Sequence, residues 1–272
     1  MKFVQLGLLP LAGVRVVCRK LIVDQSYNPE AWMSASGIRA QLLQSDEEWA
    51  ARCEILGRHL AELVDEYAAA GAQTGIEIGC QRGALTDQMG RLTKVPNWTG
   101  IDPSLPGKLV TEHGCELYPA LASKLDFPDE AFDAALFANV FEHIPPDDRD
   151  NSLREMFRVV KPGGVVIGQI PNPYFVIESH SRLPLMGWLP IKWQHRYWKL
   201  APVSWEHDFY VVTMKHLEPV ARRAGFELVH VQNFNYPAEA VPQRVRWAAR
   251  LMARRPLSYM PWSWQFVLRR PV

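Results

Sequence analysis

The sequence lacks the cysteine pairs, the charge excess and the long apolar runs that mark several classes of protein. Its four cysteines are widely spaced and form no CxxC pair, so the sequence predicts neither a disulfide framework nor a zinc site. Thirty Lys and Arg residues balance 29 Asp and Glu residues, which excludes a global field that would attract nucleic acid. With 48% hydrophobic residues in 272, we expect a globular, reduced, cytoplasmic protein with a full core.

The amino-terminal segment has a short apolar run after Lys2. Gln5, Pro10 and Arg15 interrupt this run, and it falls short of the roughly 20 residues that span a bilayer. It also lacks a convincing small-x-small cleavage site. We therefore expect a buried or interfacial segment, with a cleaved signal peptide or a transmembrane helix as the alternatives.

Helical and strand patterns alternate along most of the chain. Ser45 and Glu48 form a capping box, and apolar residues at helical spacing predict an amphipathic helix that closes near Gly71. Strands are then predicted at 74–79, 98–102, 115–118, 132–140, 165–170, 226–231 and 264–270, with helices between most of them. Such alternation is typical of a parallel sheet covered on both faces.

The stretch "GIEIGCQRGALT" (75–86) predicts a strand, a glycine turn and a helix, which places a ligand-binding loop at the carboxyl edge of the sheet. The pattern GxxxxGK[ST] is absent, and Gln81 interrupts GxGxxG. Glu77 would repel a diphosphate but suits a ligand that carries an ammonium and a sulfonium. Asp102, after the next strand, could accept both hydroxyls of a ribose. Taken alone, the loop could equally be a tight structural turn.

Two longer motifs follow, "LDFPDEAFDAALFANVFEHIPP" (125–146) and "REMFRVVKPGGVVIGQIPNP" (154–173). Over residues 74–173 the chain resembles a class I S-adenosylmethionine-dependent methyltransferase of the bacterial group that includes the ubiquinone-pathway O-methyltransferases. The resemblance implies an α/β, Rossmann-like fold with a seven-stranded sheet of order 3-2-1-4-5-7-6, in which strand 7 is antiparallel. We expect a helical extension over 1–70 and the methyltransferase domain over 71–272, with a lid insert at 171–212 and a basic helical insert at 232–263.

The resemblance also assigns expected roles to individual residues, with S-adenosylmethionine as the cofactor. The loop around the methionine part comprises Glu77, Gly79, Cys80, Gln81 and Gly83. Asp102 would hold the ribose, and Pro103 would lie beside the adenine. Leu121 stands where relatives often carry an acid that contacts the adenine amino group, so that contact would come from the backbone of Ala122 or be absent. Asn139 and Val140 would line the pocket near the methyl group.

For the chemistry, His143 at the mouth of the pocket is the candidate general base, with Glu142 beside it. The alternative is that both residues cap the next helix or brace the loop. Relatives carry a similar Glu-His pair that is implicated in metal-assisted O-methylation, but Asn139 replaces an acid that some of them have. The resemblance therefore leaves room for a divalent metal without favouring one, and no metal ligands are assigned.

The predicted lid is rich in tryptophan and histidine and would bind the acceptor, or else its tryptophans only pack it onto the core. Its candidate acceptor-binding residues are Tyr174, Glu178, His180, His195 and Trp205. Glu178-x-His180 could ligate a metal, but no third ligand is evident from the sequence.

The basic insert, with five arginines between 244 and 255, fits a domain-packed helix with its arginines in water. Peripheral contact with an anionic membrane, at the inner membrane surface, or an acidic acceptor would also suit it.

The sequence thus predicts methyl transfer to an oxygen of a small-molecule, lipid or glycan acceptor, with no nucleic-acid partner. N- or C-methylation is the alternative within enzymes. A non-catalytic module that binds S-adenosylmethionine is the alternative of another class. The oligomeric state is not indicated.

Overall fold

The computed structural model describes residues 46–181, 183–201, 209–238, 246–252, 254 and 260–272. The helices are α1 (Asp46–Tyr67), α2 (Ala84–Leu92), α3 (Pro146–Val159), α4 (Ile191–Trp198), α5 (Met214–Ala224) and α6 (Arg246–Met252). The strands are β1 (Thr74–Ile78), β2 (Asn97–Ile101), β3 (Leu109–Val110), β4 (Glu116–Tyr118), β5 (Phe132–Ala138), β6 (Val160–Pro171), β7 (Glu227–Phe234) and β8 (Ser263–Arg269). Short 3-10 helices span Phe141–His143 and Met186–Trp188.

The eight strands form one sheet of order β3-β4-β2-β1-β5-β6-β8-β7. Without β3, this order matches the predicted 3-2-1-4-5-7-6, and β8 runs antiparallel to both of its neighbours as expected for strand 7. The predicted count of seven strands was wrong, because β3 adds an antiparallel edge strand next to β4. Both of its residues are exposed, so no alternation of apolar and polar residues could indicate it.

The junction between α3 and β6 also differs from the prediction. The segment "KPGG" was expected to separate the helix from a strand at 165–170, but α3 passes directly into β6 at Val160. Val160 pairs with Phe132, after which the register of β5 and β6 shifts before Ala134 pairs with Val165. Gly163, at φ +78°, lies within this irregular stretch, where the left-handed region favours glycine. A bulged strand start therefore replaces the predicted turn.

Helices cover both faces of the sheet. On one face, Phe137 of β5 packs with Met156 of α3 and Leu217 of α5. On the other face, Val64 of α1 and Met89 of α2 pack over the sheet in a second buried cluster. The described part of the predicted amino-terminal extension thus contributes to the core of the domain.

Several predicted features lie outside the described residues. They are the amino-terminal segment, the side chains of the capping box at Ser45 and Glu48, and Arg244 and Arg255 of the basic insert. Helix α6 represents that insert in the described part of the chain. Across the described ranges, no helix is both long enough and apolar enough to cross a membrane.

Candidate active site

The loop between β1 and α2 lies at the carboxyl edge of the sheet. Gly79 and Gly83 have φ values of +78° and +79°, in the left-handed region that glycine adopts without steric cost. A Cβ at Gly79 would lie 2.5 Å from Val140 Cγ2, so this glycine also permits a close approach to the end of β5. Glycine is therefore required in this loop for two reasons: the left-handed backbone conformation and the close packing against Val140.

The backbone amides of this loop point into the protein rather than toward a ligand. Four of them donate hydrogen bonds internally: Gly79 and Cys80 to the carbonyl of Ile101 (2.8 and 2.9 Å), Gln81 to Asp102 Oδ2 (2.8 Å) and Gly83 to the carbonyl of Cys80 (2.8 Å). A phosphate cradle needs such amides to face the anion. The loop is therefore not built as a diphosphate site, which agrees with the interpretation of Glu77 from the sequence.

Glu77 is buried at the end of β1 and accepts a hydrogen bond from the hydroxyl of Thr86 in α2. Burial first, and then the nearby negative charge of Asp102, raise the pKa of Glu77 to about 7, although hydrogen bonds from Thr86 act in the opposite direction. Burial likewise raises the pKa of the Cys80 thiol, so that this cysteine is no nucleophile at neutral pH. A ligand that places a positive charge beside Glu77 would stabilise its ionised carboxylate, and this interaction would strengthen binding of that ligand.

The raised pKa of Glu77 should be visible in the pH dependence of the free energy of unfolding. Because its folded pKa lies above its unfolded value, the folded state holds the proton more tightly, and stability falls as pH rises from about 5 to about 7. The loss at Glu77 should amount to about 2–3 kcal/mol. Glu77→Gln should flatten this slope and be more stable than the parent protein above neutral pH. Urea unfolding of both proteins across this pH range measures the difference, and parallel pH profiles would contradict the assignment.

Gln81, the departure from the family's usual glycine, has a φ of +50°. A non-glycine residue in this region costs about 1 kcal/mol of backbone strain. The backbone amide of Gln81 donates to Asp102 Oδ2, whereas its side chain is exposed. The backbone of Gln81, rather than its side chain, therefore makes the contact with Asp102.

Asp102 follows β2 and is almost fully buried. Its Oδ2 accepts from the amide of Gln81, and its Oδ1 accepts from the amide and the hydroxyl of Ser104, at 2.8 and 2.5 Å. Oδ2 can accept a second hydrogen bond, and Oδ1 can accept one from a ligand if the hydroxyl of Ser104 turns away from it. Asp102 thus fixes the glycine loop and can also hold a ribose.

Asn139, directly after β5, is held in place by a line of side-chain amides across the sheet. Its Oδ1 accepts from Gln169 Nε2 (3.1 Å), and its backbone amide donates to the carbonyl of Gln169 (2.8 Å). Gln169 Oε1 accepts from Gln265 Nε2 (3.2 Å), and Gln265 Oε1 accepts from Gln232 Nε2 (2.8 Å). Since Gln169 and Gln265 are buried, this chain of hydrogen bonds fixes the side chain of Asn139 at the carboxyl edge of the sheet.

Next to this edge, the 3-10 helix after β5 places Glu142 and His143 against the lid. Glu142 is 2% exposed, and neither of its carboxylate oxygens has a hydrogen-bond partner among the described residues. Burial raises the pKa of Glu142, and the charges of His143 and His180 oppose this shift. The backbone amide of Tyr210, at the end of the lid, donates to the carbonyl of Glu142 at 2.7 Å. The lid is thereby anchored beside the two predicted catalytic residues.

The lid contributes a second carboxylate-histidine pair, Glu178 and His180. Glu178 Oε1 lies 2.7 Å from His180 Nδ1, and its carboxylate accepts the backbone amides of His180 and Ser181. Burial opposes ionisation, but these hydrogen bonds and the charge of His180 outweigh it and lower the pKa of Glu178 to about 2. The His180 ring stacks on Phe209 with centroids 4.3 Å apart and meets His143 edge-on at 5.2 Å. Glu178 and His180 therefore join Glu142 and His143 in one cluster.

The remaining predicted site residues lie on other segments. Tyr174 packs against Trp188, and both line a cleft of about 420 Å³ near the carboxyl end of β6, together with Trp264. His195 is exposed on α4, and Trp205 lies outside the described residues. Leu121 is exposed in the turn before Lys124, while Pro103 and Ala122 are half-buried after β2 and β4. Their predicted contacts with the adenine stay predictions.

Most residues of this site lie in a region that matches a known protein family. Residues 76–168, from β1 to β6, match the family model described as "Methyltransferase domain". This matched region, 93 of the 272 residues, is similar to class I S-adenosylmethionine-dependent methyltransferases. The loop with Glu77 and the carboxylate of Asp102 lie in the matched region. So do Asn139 and the Glu142-His143 pair.

Curated relatives agree with this family. The methyltransferase domain is similar to the "Ubiquinone/menaquinone biosynthesis C-methyltransferase UbiE" of Nitrosospira multiformis, with 35% identity over 127 residues, 44% of this chain and 49% of the relative. The protein of the same name from Vibrio vulnificus strain YJ016 is 33% identical over 116 residues, 40% of this chain and 42% of the relative. The chain thus spans about half the length, or less, of these curated relatives.

Solved structures show the same fold. A methyltransferase from Mesorhizobium loti aligns with a TM-score of 0.51 and 18% identity, over 78% of this chain and 96% of that one. The structure titled "[4+2]-Cyclase SpnF" aligns with a TM-score of 0.51 and 19% identity, over 79% and 81% of the two chains. Since the second structure is named for a different reaction, this fold does not by itself define the chemistry.

Sequence reasoning missed several residues that organise the site. Thr86 holds Glu77 from α2, Gln169 holds Asn139, and Phe209 supports His180. A polar residue inside the apolar strand "VVIGQI" was a usable signal for Gln169, because a buried amide needs hydrogen-bond partners. Thr86 and Phe209 carried no comparable signal in the sequence.

Proposed function

We propose that the methyltransferase domain binds S-adenosylmethionine at the carboxyl edge of β1, β2 and β5 and transfers its methyl group to an oxygen of a small-molecule acceptor. The observation that carries this proposal is the buried carboxylate of Glu77 beside a loop whose amides face inward. This arrangement favours a ligand with ammonium and sulfonium charges over a nucleotide phosphate. Asp102, in the same loop network, suits the ribose hydroxyls of that ligand.

The acceptor side favours an oxygen nucleophile. Methyl transfer from a sulfonium is an in-line displacement, so orientation of the acceptor can supply much of the acceleration. An alcohol or phenol also needs a base, and two imidazoles, His143 and His180, lie together after the carboxyl end of β5, with ring centroids 5.2 Å apart. Glu178 orients His180 through Nδ1, which leaves Nε2 as the proton acceptor. The predicted base His143 is therefore joined by a second candidate, His180.

The acceptor itself is proposed to carry a flat or sugar-like ring. Tyr174, Trp188 and Trp264 line the cleft beside β6, and such aromatic surfaces bind rings by stacking. Asn172 lines the same cleft and provides a polar side chain there. A quinol, a phenol or a lipid-linked or free glycan would each meet these requirements.

C-methylation is a second candidate, because the relatives from Nitrosospira multiformis and Vibrio vulnificus are named as C-methyltransferases. Attack by a carbon also begins with loss of a proton when the nucleophile is an enol or phenol carbon. The same imidazoles would serve either reaction. The two candidates differ in the atom that receives the methyl group, and that atom is directly measurable.

The test is to incubate the full chain with isotope-labelled methyl donor and with aqueous and lipid extracts. We expect one labelled small-molecule product whose labelled carbon has the chemical shift of a methoxy group. A C-methyl shift would replace the first candidate with the second. The matched control is Asp102→Ala, which should give no labelled product. Incorporation that is equal with this variant would contradict the proposed site.

A further inference from the structure

A line of side-chain amides crosses four adjacent strands and ends at Asn139. From β7 to β5, its hydrogen bonds run from His230 Nε2 to Gln232 Oε1 (3.3 Å), from Gln232 Nε2 to Gln265 Oε1 (2.8 Å), from Gln265 Nε2 to Gln169 Oε1 (3.2 Å) and from Gln169 Nε2 to Asn139 Oδ1 (3.1 Å). Every nitrogen donates toward Asn139, so all the carboxamides have one orientation. We propose that this amide chain presents Asn139 Nδ2 as a hydrogen-bond donor to an acceptor oxygen, with Gln169 and Gln265 as positioning residues.

Burial makes the orientation of this amide chain cooperative. Gln169 is 2% exposed, and Gln265 is fully buried. Reversal of one carboxamide alone would set two donors or two acceptors against each other, and an unsatisfied buried amide is costly. The orientation of each amide therefore fixes that of the next one.

Asn139 is fixed at two points by Gln169. Besides the side-chain contact, its backbone amide donates to the carbonyl of Gln169 at 2.8 Å. Its φ is +57°, in the left-handed region that asparagine tolerates better than most residues other than glycine. In the part of the chain that the structure describes, Asn139 Nδ2 makes no hydrogen bond, and the residue is only half-buried. Both hydrogens of Nδ2 are therefore available to a ligand.

The position of Asn139 agrees with a role at the methyl group. It lies directly after β5, whose Leu136 pairs with Glu77 of β1. The next residue, Val140, packs so closely on the cofactor loop that a Cβ at Gly79 would lie 2.5 Å from its Cγ2. The carboxamide of Asn139 thus lies at the same carboxyl edge of the sheet as the proposed cofactor site.

A donor at this point selects among nucleophiles, and the inference therefore deepens the proposed function on which it rests. A hydroxyl or phenolate oxygen has one lone pair for the hydrogen bond from Nδ2 and another for attack on the methyl group. An amine nitrogen has a single lone pair, which it needs for the attack, and a carbon nucleophile has none to spare. As the oxygen–carbon bond forms, the carbon–sulfur bond breaks and its electron pair stays on the sulfur. The proton of a hydroxyl acceptor passes to the proposed imidazole base.

Hydrogen exchange of isotope-labelled carboxamides, measured by NMR on the full chain, tests the orientation of Asn139 without an acceptor. We expect the hydrogen-bonded hydrogens of Gln169 and Gln265 Nε2 to exchange at least about 10-fold more slowly than those of Asn139 Nδ2. The reverse orientation would make Asn139 Nδ2 the donor to Gln169. Slow exchange at Asn139 Nδ2 would therefore contradict the proposal.

Two variants test the consequence for methyl transfer, which is measured as incorporation of labelled methyl from saturating S-adenosylmethionine into the extracts. Gln265→Met breaks the amide chain two strands away from Asn139, and Asn139→Asp keeps the acceptor for Gln169 but removes the donor. Each should lower transfer at least about 10-fold, whereas the Kd for S-adenosylmethionine should not increase by more than about twofold. The matched control is Gln88→Met, which removes a half-buried amide on α2 outside this chain and should change neither quantity.

Unchanged transfer in either variant of the amide chain would overturn the proposal, and so would a product methylated at nitrogen or carbon. If Gln265→Met does not fold, Asn139→Asp decides, because its hydrogen bond from Gln169 and the slow exchange at Gln169 should persist. If the parent protein forms no labelled product, the proposed function fails, whereas the exchange rates still decide the orientation of Asn139.

Discussion

Asp102→Ala should weaken the binding of S-adenosylmethionine by at least about 100-fold. Two charge-assisted hydrogen bonds to the ribose hydroxyls would be lost, and each contributes roughly 1.5–3 kcal/mol. At 1.4 kcal/mol per factor of ten, the combined loss corresponds to about two to four decades of Kd. Loss of the hydrogen bond from the Gln81 amide would loosen the glycine loop and add to the effect. Isothermal titration calorimetry of the variant and the parent protein measures the change.

A control is needed because Asp102 also has a structural role. Asp133 is the matched residue: its carboxylate accepts the amides of Gln73 and Thr74 at the opposite, amino end of β1. Asp133→Ala should lower the free energy of unfolding while leaving the Kd for S-adenosylmethionine unchanged. Equal effects of the two substitutions on Kd would show that Asp102 acts only through stability.

Gly79→Ala should lower the free energy of unfolding by about 3 kcal/mol and also impair cofactor binding. Alanine at φ +78° costs about 1 kcal/mol, and its Cβ would lie 2.5 Å from Val140 Cγ2. Relief of that contact requires movement of a β-branched side chain or of the loop, at about 1–3 kcal/mol. Since Val140 is proposed to line the pocket near the methyl group, its displacement should weaken cofactor binding. Urea unfolding and calorimetry measure the two effects.

The control Gly71→Ala separates the cost of a positive φ from the cost of the contact with Val140. Gly71 has a φ of +85°, but no atom of the described residues lies within 4 Å of the position that its Cβ would occupy. Gly71→Ala should therefore cost only about 1 kcal/mol and leave cofactor binding intact. If Gly79→Ala were no more destabilising than Gly71→Ala, the close approach of residue 79 to Val140 would not contribute to the loss of stability.

The order of the central strands was predictable because each leaves a continuous apolar run or a glycine turn in the sequence. Strand β1 and the loop through Gly83 follow from "GIEIGCQRG", and β5 follows from "FDAALFANV". Strand β3 was not predictable, because an exposed two-residue edge strand is stabilised by its pairing with β4 rather than by its own residues. The passage from α3 into β6 was missed for a related reason, since pairing of Val160 with Phe132 overrides the turn preference of "KPGG".

The cofactor loop and the lid differ in how far the sequence could define them. Glu77, Gly79 and Asp102 lie at strand ends, so the sheet brings them to one edge and their proximity could be inferred. His180 meets Glu142 only because the segment after β6 brings it beside the end of β5, where the Tyr210 amide also donates to the Glu142 carbonyl. No periodicity in the sequence encodes such a tertiary contact. The assignment of residues 171–212 as a lid stays a prediction, and the pairing of His180 with Glu142 was not predicted.

Calorimetric titration of the full chain with S-adenosylmethionine tests the central claim most directly. The account predicts one saturable site per chain whose affinity increases as pH rises from about 6 to about 8. The increase is expected because the cationic ligand requires ionised Glu77, whose pKa in the free protein is raised to about 7. Glu77→Gln should bind more weakly and lose this pH dependence. No saturable binding of S-adenosylmethionine at either pH would contradict the account.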